Sequence, residues 1–249
     1  MLANWVAWAR PWLDGAKRWL PTTTEPLRVR VWLASDIGWD PYNGVTIEGA
    51  LQAVVVTRET GMLPDDAFSD APRSFFADVP VPIADVAVAG VPIACASWAI
   101  PAAVVGVARS VRQKTRVELL PLPSGSGQVT VQSGRYKSME IRIDAISTPY
   151  IDFYVRGDRA LLVDLLRDVG SIGRARAGGL GAIHGVELDP DPEDRSLVYR
   201  GRPQRTLPVE DGASYEPGSY DVRECGTRAP YWHRATRSLC LVPMPRAFA

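Results

Sequence analysis

The chain has 249 residues, 46% of them hydrophobic, and its 28 basic side chains balance 28 acidic ones. This length and apolar fraction allow a sizeable core and exclude a globally disordered chain. The 3 cysteines are far apart, with no pair at a metal-ligand spacing, which argues against a disulfide scaffold and fits a reducing, cytoplasmic compartment. The sequence has no run of about 18 apolar residues and no signal-peptide pattern, so we expect neither a membrane span nor secretion.

The zero net charge conceals a polarised distribution. The segment from Asp36 to Asp85 contains nine acidic and two basic residues. The segment from Arg109 to Ala182 contains twelve basic and seven acidic residues. Nearly all of the bases are arginine, whose planar fork suits phosphate, although a GC-rich genome would also favour arginine. The chain can therefore present one basic face to nucleic acid while its total charge cancels.

Residues 1–25 are predicted to form a Trp-rich helical extension and a linker. Four tryptophans share one helical face, namely Trp5, Trp8, Trp12 and Trp19. Three interpretations stay open: a helix packed on its own domain, a docking helix for a partner protein, or an interfacial membrane helix.

The next segments indicate a strand followed by a helix. Leu27 to Ala34 alternates apolar and polar residues, which predicts a half-buried strand. Thr46 is predicted to cap a helix that Gly61 closes. Residues 62–94 are rich in proline and irregular, Ala87 to Trp98 is strand-like, and Val104 to Val107 is a further apolar run.

A basic stretch and a flexible tip then predict a hairpin or an extended arm. The bases of the stretch are Arg109, Arg112, Lys114 and Arg116. A Ser-Gly-Ser-Gly tip at residues 124–127 precedes Arg135, Tyr136 and Lys137. In that trio, bases of RNA can stack on the aromatic ring while the cations hold phosphates.

The region from residue 139 to residue 188 predicts two strands, a helix and a final strand. Met139 to Ala145 and Tyr150 to Val155 alternate like strands, Asp158 is expected to cap a helix, and Ala182 to Leu188 is strand-like. The order of elements is that of an α+β, ferredoxin-like (RRM-like) β-α-β-β-α-β unit. We place this domain at residues 26–190, with a thumb-like insertion at about residues 62–137. Residues 191–249 form an Arg- and aromatic-rich C-terminal segment that includes Tyr231 and Trp232.

The connection between the last helix and the last strand is rich in glycine and arginine. Its notable residues are Gly173, Arg174, Arg176, Gly178, Gly179 and Gly181. Glycines allow a close approach of backbone N–H groups to phosphate. The order helix, glycines, strand excludes a Walker or Rossmann loop, in which the glycines precede the helix. A connection without a ligand is the alternative.

Helix, basic glycine loop and last strand together resemble the RAMP superfamily of CRISPR proteins, with matches at Gly173, Arg174, Gly178 and Gly181. Further motifs are similar to the type IV subunit that caps the 5′ handle of the guide RNA (crRNA). These motifs are Leu27 to Ala34, the helix at residues 46–60, the turn at residues 134–137, Gly157-Asp158 and Tyr231-Trp232. The resemblance covers roughly residues 26 to 245 and leaves the Trp-rich extension unmatched.

The resemblance implies a subunit that binds crRNA without cutting it and needs no cofactor or metal. It implies contacts with the backbone and large subunits of the effector complex, an indirect link to target DNA, and no membrane. The RNA-binding residues expected from it are the six of the glycine loop, the four basic residues between 109 and 116, the trio at residues 135–137, and Tyr231 with Trp232.

Two alternatives remain. One is a guide-processing endoribonuclease of the same superfamily, for which His184, His233 and Tyr136 are the candidate acid–base groups. No Ser/His/Asp order or HExxH motif is present, and the acids at residues 189–194 alternate with prolines in what we expect to be a solvated loop. The other is a structural adaptor that docks through the N-terminal Trp helix.

Overall fold

The computed structural model describes residues 11–39, 44–62, 79–113, 139–174, 176–210, 214–227 and 237–244, and within these ranges the fold is α+β with antiparallel sheets. The strands are β1 (Glu25–Leu33), β2 (Ile37–Gly38), β3 (Asp85–Val88), β4 (Val91–Ala94), β5 (Ile100–Pro101), β6 (Val105–Gln113), β7 (Met139–Ser147), β8 (Tyr150–Gly157), β9 (Ile183–Pro190), β10 (Val198–Tyr199), β11 (Arg202–Pro203), β12 (Leu207–Pro208), β13 (Tyr220–Gly226) and β14 (Arg237–Pro243). The helices are α1 (Glu48–Thr60) and α2 (Arg159–Leu166). Neither of these two helices is long and apolar enough to cross a membrane.

A four-stranded antiparallel sheet of order β5-β8-β1-β9 organises the core. The predicted alternation in β1 is confirmed, because Leu27, Val29 and Val31 are buried while the residues between them lie on the other face. Val29 lies opposite Phe153 of β8. Helices α1 and α2 contribute fully buried leucines to the same core cluster as these strand residues. The strong apolar side of the sheet therefore faces the helices, and its second face carries polar and aromatic side chains.

The two helices begin and end as their sequences dictate, with one exception. Asp158 is confirmed as the cap of α2, because its carboxylate accepts hydrogen bonds from the N–H groups of Ala160 and Leu161 at 3.1 and 3.2 Å. Gly61 is confirmed as the end of α1, with φ at +69°. Thr46 was the wrong choice of cap: α1 starts after Ile47, whose aliphatic side chain accepts no hydrogen bond.

Asp158 also anchors the chain that enters β1. Its carboxylate accepts a hydrogen bond from the hydroxyl of Thr22 at 2.9 Å. Burial acts to raise the pKa of Asp158, but hydrogen bonds from Leu161, Thr22 and Thr23 outweigh it and leave the pKa lowered. The charged carboxylate thus joins the linker before β1 to the start of α2.

The strand-like segment at residues 87–98 is a hairpin rather than one strand. Strands β3 and β4 pair around a turn at Ala89 and Gly90, which have φ values of +49° and +75°. Two successive positive φ values are typical of a tight hairpin turn. The apolar run that follows at residues 104–107 opens β6, which pairs with β7 from Val105 to Gln113 in a three-stranded sheet of order β2-β7-β6. We refer to β6 with β7 as the β6–β7 ribbon; the arm predicted between these two strands, at residues 114–138, lies outside the described ranges.

The C-terminal segment contains structure that its polar composition did not predict. Strands β12, β14 and β13 form a three-stranded sheet, and β10 pairs with β11. Arg205, in the chain before β12, is completely buried and forms an ion pair with Glu48 of α1 at 2.7 Å. The C-terminal segment is therefore attached to the first helix of the domain.

The described half of the Trp-rich extension packs on its own domain. Residues 11–16 are helical, and Trp12, Ala16 and Trp19 are buried in the main core cluster. The indole N–H of Trp19 donates to the carboxylate of Glu59 at 2.7 Å. Trp5 and Trp8 lie outside the described residues. Trp12 and Trp19 thus pack within the domain core, and they can contact a partner protein only if they leave that core.

Trp19→Phe is expected to lower the free energy of unfolding by about 1–2 kcal/mol, because the hydrogen bond to the charged Glu59 is lost while most of the apolar ring stays. Urea unfolding measures the change. Leu20→Ala serves as the control, since Leu20 is 49% exposed and its loss should matter little. Equal stability of the Trp19→Phe and wild-type proteins would contradict a core role for this indole.

Candidate nucleic-acid interface

The glycine loop, residues 170–182, is a compact connection from α2 to β9. The N–H of Gly181 donates to the carbonyl of Asp36 at 2.7 Å, and the N–H of Arg174 donates to the carbonyl of Gly38 at 3.2 Å. Ser35 adds a third tie, because its hydroxyl donates to the carbonyl of Gly179 at 3.0 Å. The loop is therefore fastened along the segment that follows β1.

The glycines of this loop serve different physical needs. Gly173, Gly179 and Gly181 all have positive φ, at +90°, +84° and +69°. A Cβ at Gly181 would lie 1.7 Å from the carbonyl oxygen of Ile172, and one at Gly173 would lie 2.7 Å from a side-chain carbon of Ile37. A Cβ at Gly179 would meet nothing within 4 Å. Close packing thus requires glycine at 173 and 181, whereas only backbone conformation favours it at 179.

Two of the backbone N–H groups that were expected to approach phosphate already donate hydrogen bonds within the protein. The N–H of Gly179 donates to the carbonyl of Arg176 at 3.0 Å, and the N–H of Gly181 donates to the carbonyl of Asp36. The positive charge of the loop comes from Arg174 and Arg176, whose side chains are both exposed. Any phosphate contact at this loop is therefore expected to depend mainly on the two guanidinium groups.

Gly38 brings the glycine loop next to the β6–β7 ribbon. It pairs with Ala145 of β7 on one side and forms a bridge with Arg174 on the other. A Cβ at Gly38 would lie 2.4 Å from the carbonyl oxygen of Arg174, so the two backbones touch here. The loop and the β6–β7 ribbon consequently flank the same two-residue strand.

The structure brings together only part of the predicted RNA-binding set. The six loop residues lie together, and Arg109 and Arg112 lie on β6 opposite Ile143 and Glu140 of β7. The remaining predicted residues lie outside the described ranges: Lys114, Arg116, Arg135, Tyr136, Lys137, Tyr231 and Trp232.

Sequence reasoning missed a cluster on the second face of the central sheet. The rings of Trp32 and Tyr150 meet edge to face with centroids 4.9 Å apart, and the guanidinium of Arg30 lies 3.8 Å from the centroid of Tyr150. Arg30 also donates two hydrogen bonds to Asp152, at 2.9 and 3.0 Å, and this pairing raises its pKa. Alternation in β1 placed Arg30 and Trp32 on this face, but only the register with β8 could reveal their neighbours.

The candidate catalytic histidine lies in a groove between α2 and β9. His184 is exposed there, at the edge of the sheet, beside Val163 and Leu166. Arg159 and Arg167 also line this groove. The second histidine, His233, is outside the described residues.

The acidic cluster at residues 189–194 is not the solvated loop expected from its prolines. Asp191 is buried and accepts two hydrogen bonds from the guanidinium of Arg195, at 2.7 and 2.9 Å. Asp189 and Asp194 pair with Arg28 and Arg156. These carboxylates are engaged in structural ion pairs, and within the described ranges no group of three or more His, Cys, Asp or Glu side chains could hold a metal ion.

The family model of the CRISPR type IV associated protein Csf3 matches residues 105–243. The match covers more than half of the chain and includes the β6–β7 ribbon, the glycine loop and the C-terminal sheet, while β1 and α1 precede it. The chain therefore belongs to the Csf3 family of CRISPR type IV associated proteins, which confirms the resemblance to a type IV CRISPR subunit. No curated protein matches the chain.

Proposed function

We propose that this chain is a non-catalytic crRNA-binding subunit of a type IV CRISPR ribonucleoprotein complex. It caps the 5′ handle of the guide RNA and contacts the backbone and large subunits, in the cytoplasm. The observation that carries the proposal is the pair of exposed arginines, Arg174 and Arg176, on a loop that is tied to the core at both ends. Two guanidinium groups on an anchored backbone suit the phosphates of a defined RNA segment.

The topology of the central sheet supports a RAMP domain of ferredoxin-like type. Along the chain, its elements follow the order β1, α1, β5, β8, α2 and β9, which corresponds to a β-α-β-β-α-β unit. The segment between β5 and β8 then belongs to the thumb-like insertion, with the β6–β7 ribbon as its base.

The contact at Gly38 suggests a path for the RNA. Because the glycine loop and the ribbon flank the same strand, phosphates held by Arg174 and Arg176 can continue toward the basic side chains of the arm. The arm residues that we propose to contact RNA are Arg109, Arg112, Lys114, Arg116, Arg135 and Lys137, together with the aromatic Tyr136. Tyr231 and Trp232 are proposed as stacking groups for bases of the handle.

The surroundings of His184 favour binding over cleavage. General acid–base cleavage needs proton-transfer groups near the scissile phosphate. The side chains that line the groove with His184 are apolar or arginine, and arginine supplies no general base in proteins. We therefore propose that guide RNA leaves this subunit intact.

A repeat-derived RNA labelled at its 5′ end tests the assignment. The purified protein should bind this RNA more tightly than an equally long RNA that lacks the handle, and the label should stay on a full-length strand. Shortening of the strand would favour the endoribonuclease alternative instead. Equal, weak binding of both RNAs would remove the proposed capping function.

Arg174→Ala combined with Arg176→Ala should weaken guide RNA binding and flatten its salt dependence. Each lost contact with a single-stranded phosphate lowers the slope of log K against log salt by about 0.7, so two lost contacts lower it by about 1.4. The melting temperature should hardly change, because both side chains are exposed.

A matched control removes two arginines with exposed side chains elsewhere, by Arg200→Ala combined with Arg202→Ala. It changes the net charge equally and should keep the wild-type slope. Titrations at two salt concentrations, paired with thermal melts, measure both effects. Full affinity in the loop variant with a native melt would mean that the loop is only a structural connection.

A further inference from the structure

The polar face of the central sheet has an aromatic cluster at the end where β1 leaves the sheet. Tyr150 of β8 lies opposite Trp32 of β1, and Gly185 of β9 lies on the other side of Trp32. A Cβ at Gly185 would lie 3.9 Å from the indole of Trp32, so the ring borders a position without a side chain. Both aromatic rings are only partly buried. The cluster is therefore a broad aromatic surface with access to solvent.

Arg30 fixes this surface, and its positive charge is paired with Asp152. Its guanidinium binds both oxygens of Asp152 at 2.9 and 3.0 Å. It stacks over Tyr150 at 3.8 Å and lies 5.8 Å from the ring of Trp32. Because its charge is paired with Asp152 and its side chain is only 18% exposed, Arg30 holds the rings in place rather than binding phosphate. A surface held in place in this way loses little side-chain entropy when a ligand binds.

The other end of the same face is closed. Tyr154 is buried, and the guanidinium of Arg195 covers its ring at 3.8 Å. Asp191 in turn holds Arg195 in place. Among the described residues, the C-terminal segment thus covers the Tyr154 end of the face and leaves the rings of Trp32 and Tyr150 partly exposed.

The open end adjoins the glycine loop. Three residues after Trp32, the hydroxyl of Ser35 donates to the carbonyl of Gly179 and accepts from the N–H of Ala182, both at 3.0 Å. Three extended residues span at most about 11 Å. The aromatic cluster and the loop that carries Arg174 and Arg176 therefore lie close enough for neighbouring nucleotides of one strand.

We propose that Trp32, Tyr150 and Arg30 form a stacking site for an unpaired nucleobase of the RNA whose phosphates contact the glycine loop. This inference rests on the proposed function and adds a base-binding site to it. The site is tolerant of base identity, because every base has a π-face and the charges of Arg30 and Asp152 are already paired with each other. The adjacent arginines supply the phosphate charge that the stacking site itself lacks.

Trp32→Leu tests the site, because leucine keeps an apolar side chain but removes the aromatic plane. Affinity for handle RNA should fall about 5- to 100-fold, in line with the loss of one stacked base. The salt slope should stay unchanged, since no phosphate contact is removed. Trp32→Phe should retain most of the affinity. Tyr220→Leu is the matched control, since Tyr220 belongs to an edge-to-face pair with Tyr215 on a different sheet.

Ultraviolet cross-linking of the wild-type protein to handle RNA provides a second measurement that requires no variant. Adducts on the peptides with Trp32 or Tyr150 support the site, and adducts confined to other aromatic residues contradict it. Full affinity of a natively melting Trp32→Leu protein also overturns the site while the proposed function stands. If the wild-type protein binds no RNA, the proposed function itself fails. If Trp32→Leu impairs complex assembly but not RNA affinity, this face binds a protein subunit and the inference is wrong.

Discussion

Arg205→Ala is expected to lower the free energy of unfolding by about 3–5 kcal/mol, because it leaves a buried charge without its partner. The side chain is 1% exposed, and its guanidinium binds the carboxylate of Glu48 at 2.7 Å. The same group donates to the carbonyl oxygens of Ala96 at 3.1 Å and Thr227 at 3.0 Å. One arginine thus holds α1, the segment after β4 and the end of β13 together.

Urea unfolding of the purified protein measures this loss. Arg202→Ala is the matched control, since Arg202 forms an exposed pair with Glu216 and its removal should cost no more than about 1 kcal/mol. Replacing both buried partners, by Glu48→Leu with Arg205→Met, should recover much of the stability, because no unpaired charge remains. Equal losses for Arg205→Ala and Arg202→Ala would contradict the role of the buried pair.

Local signals in the sequence predicted both helices and three strands of the central sheet, β1, β8 and β9. They missed the two-residue β5 and took Met139 to Ala145 for a strand of this sheet, whereas β7 belongs to the sheet of order β2-β7-β6. The cap at Asp158, the left-handed end at Gly61 and the alternation in β1 each depend on a few neighbouring residues. The pairing of Arg205 with Glu48 joins residues 157 positions apart, and no local pattern indicates such a partner. The three-stranded C-terminal sheet was missed for a related reason: its strands pair across long intervening segments, and the region is rich in polar residues and prolines.

In the candidate site, too, local features were predicted from the sequence and long-range contacts were not. Composition identified the glycine loop and its arginines, but it could not separate glycines needed for packing from glycines needed for conformation. Both needs select the same residue, and only the position of Ile172 beside Gly181 distinguishes them. The aromatic cluster was missed because Trp32 and Tyr150 are 118 positions apart in the numbering and meet only through the register of β1 with β8.

Gly181→Ala is expected to disrupt the glycine loop, whereas Gly179→Ala leaves it largely intact. A methyl group at 181 would overlap the carbonyl oxygen of Ile172, at 1.7 Å, in a backbone with φ at +69°. The backbone must then shift, and this shift would break the hydrogen bond from the N–H of Gly181 to Asp36. Left-handed strain of about 1–2 kcal/mol and an overpacking cost of about 1–3 kcal/mol add up to roughly 2–5 kcal/mol. At Gly179 only the conformational cost applies, about 1 kcal/mol.

Thermal melts and guide RNA titrations of the two alanine variants separate these costs. Gly181→Ala should melt at a lower temperature and bind RNA more weakly at every salt concentration, because the misplaced loop carries Arg174 and Arg176 with it. Gly179→Ala should stay near the wild-type protein in both measurements, since its added methyl group meets no neighbouring atom within 4 Å. If Gly179→Ala melts like the wild-type protein but loses RNA affinity, the prediction that substitution at 181 is the more damaging for RNA binding is contradicted. Such a result would mean that the RNA lies directly against the backbone at 179. The close approach of glycine to phosphate would then outweigh internal packing as the reason for glycine in this loop.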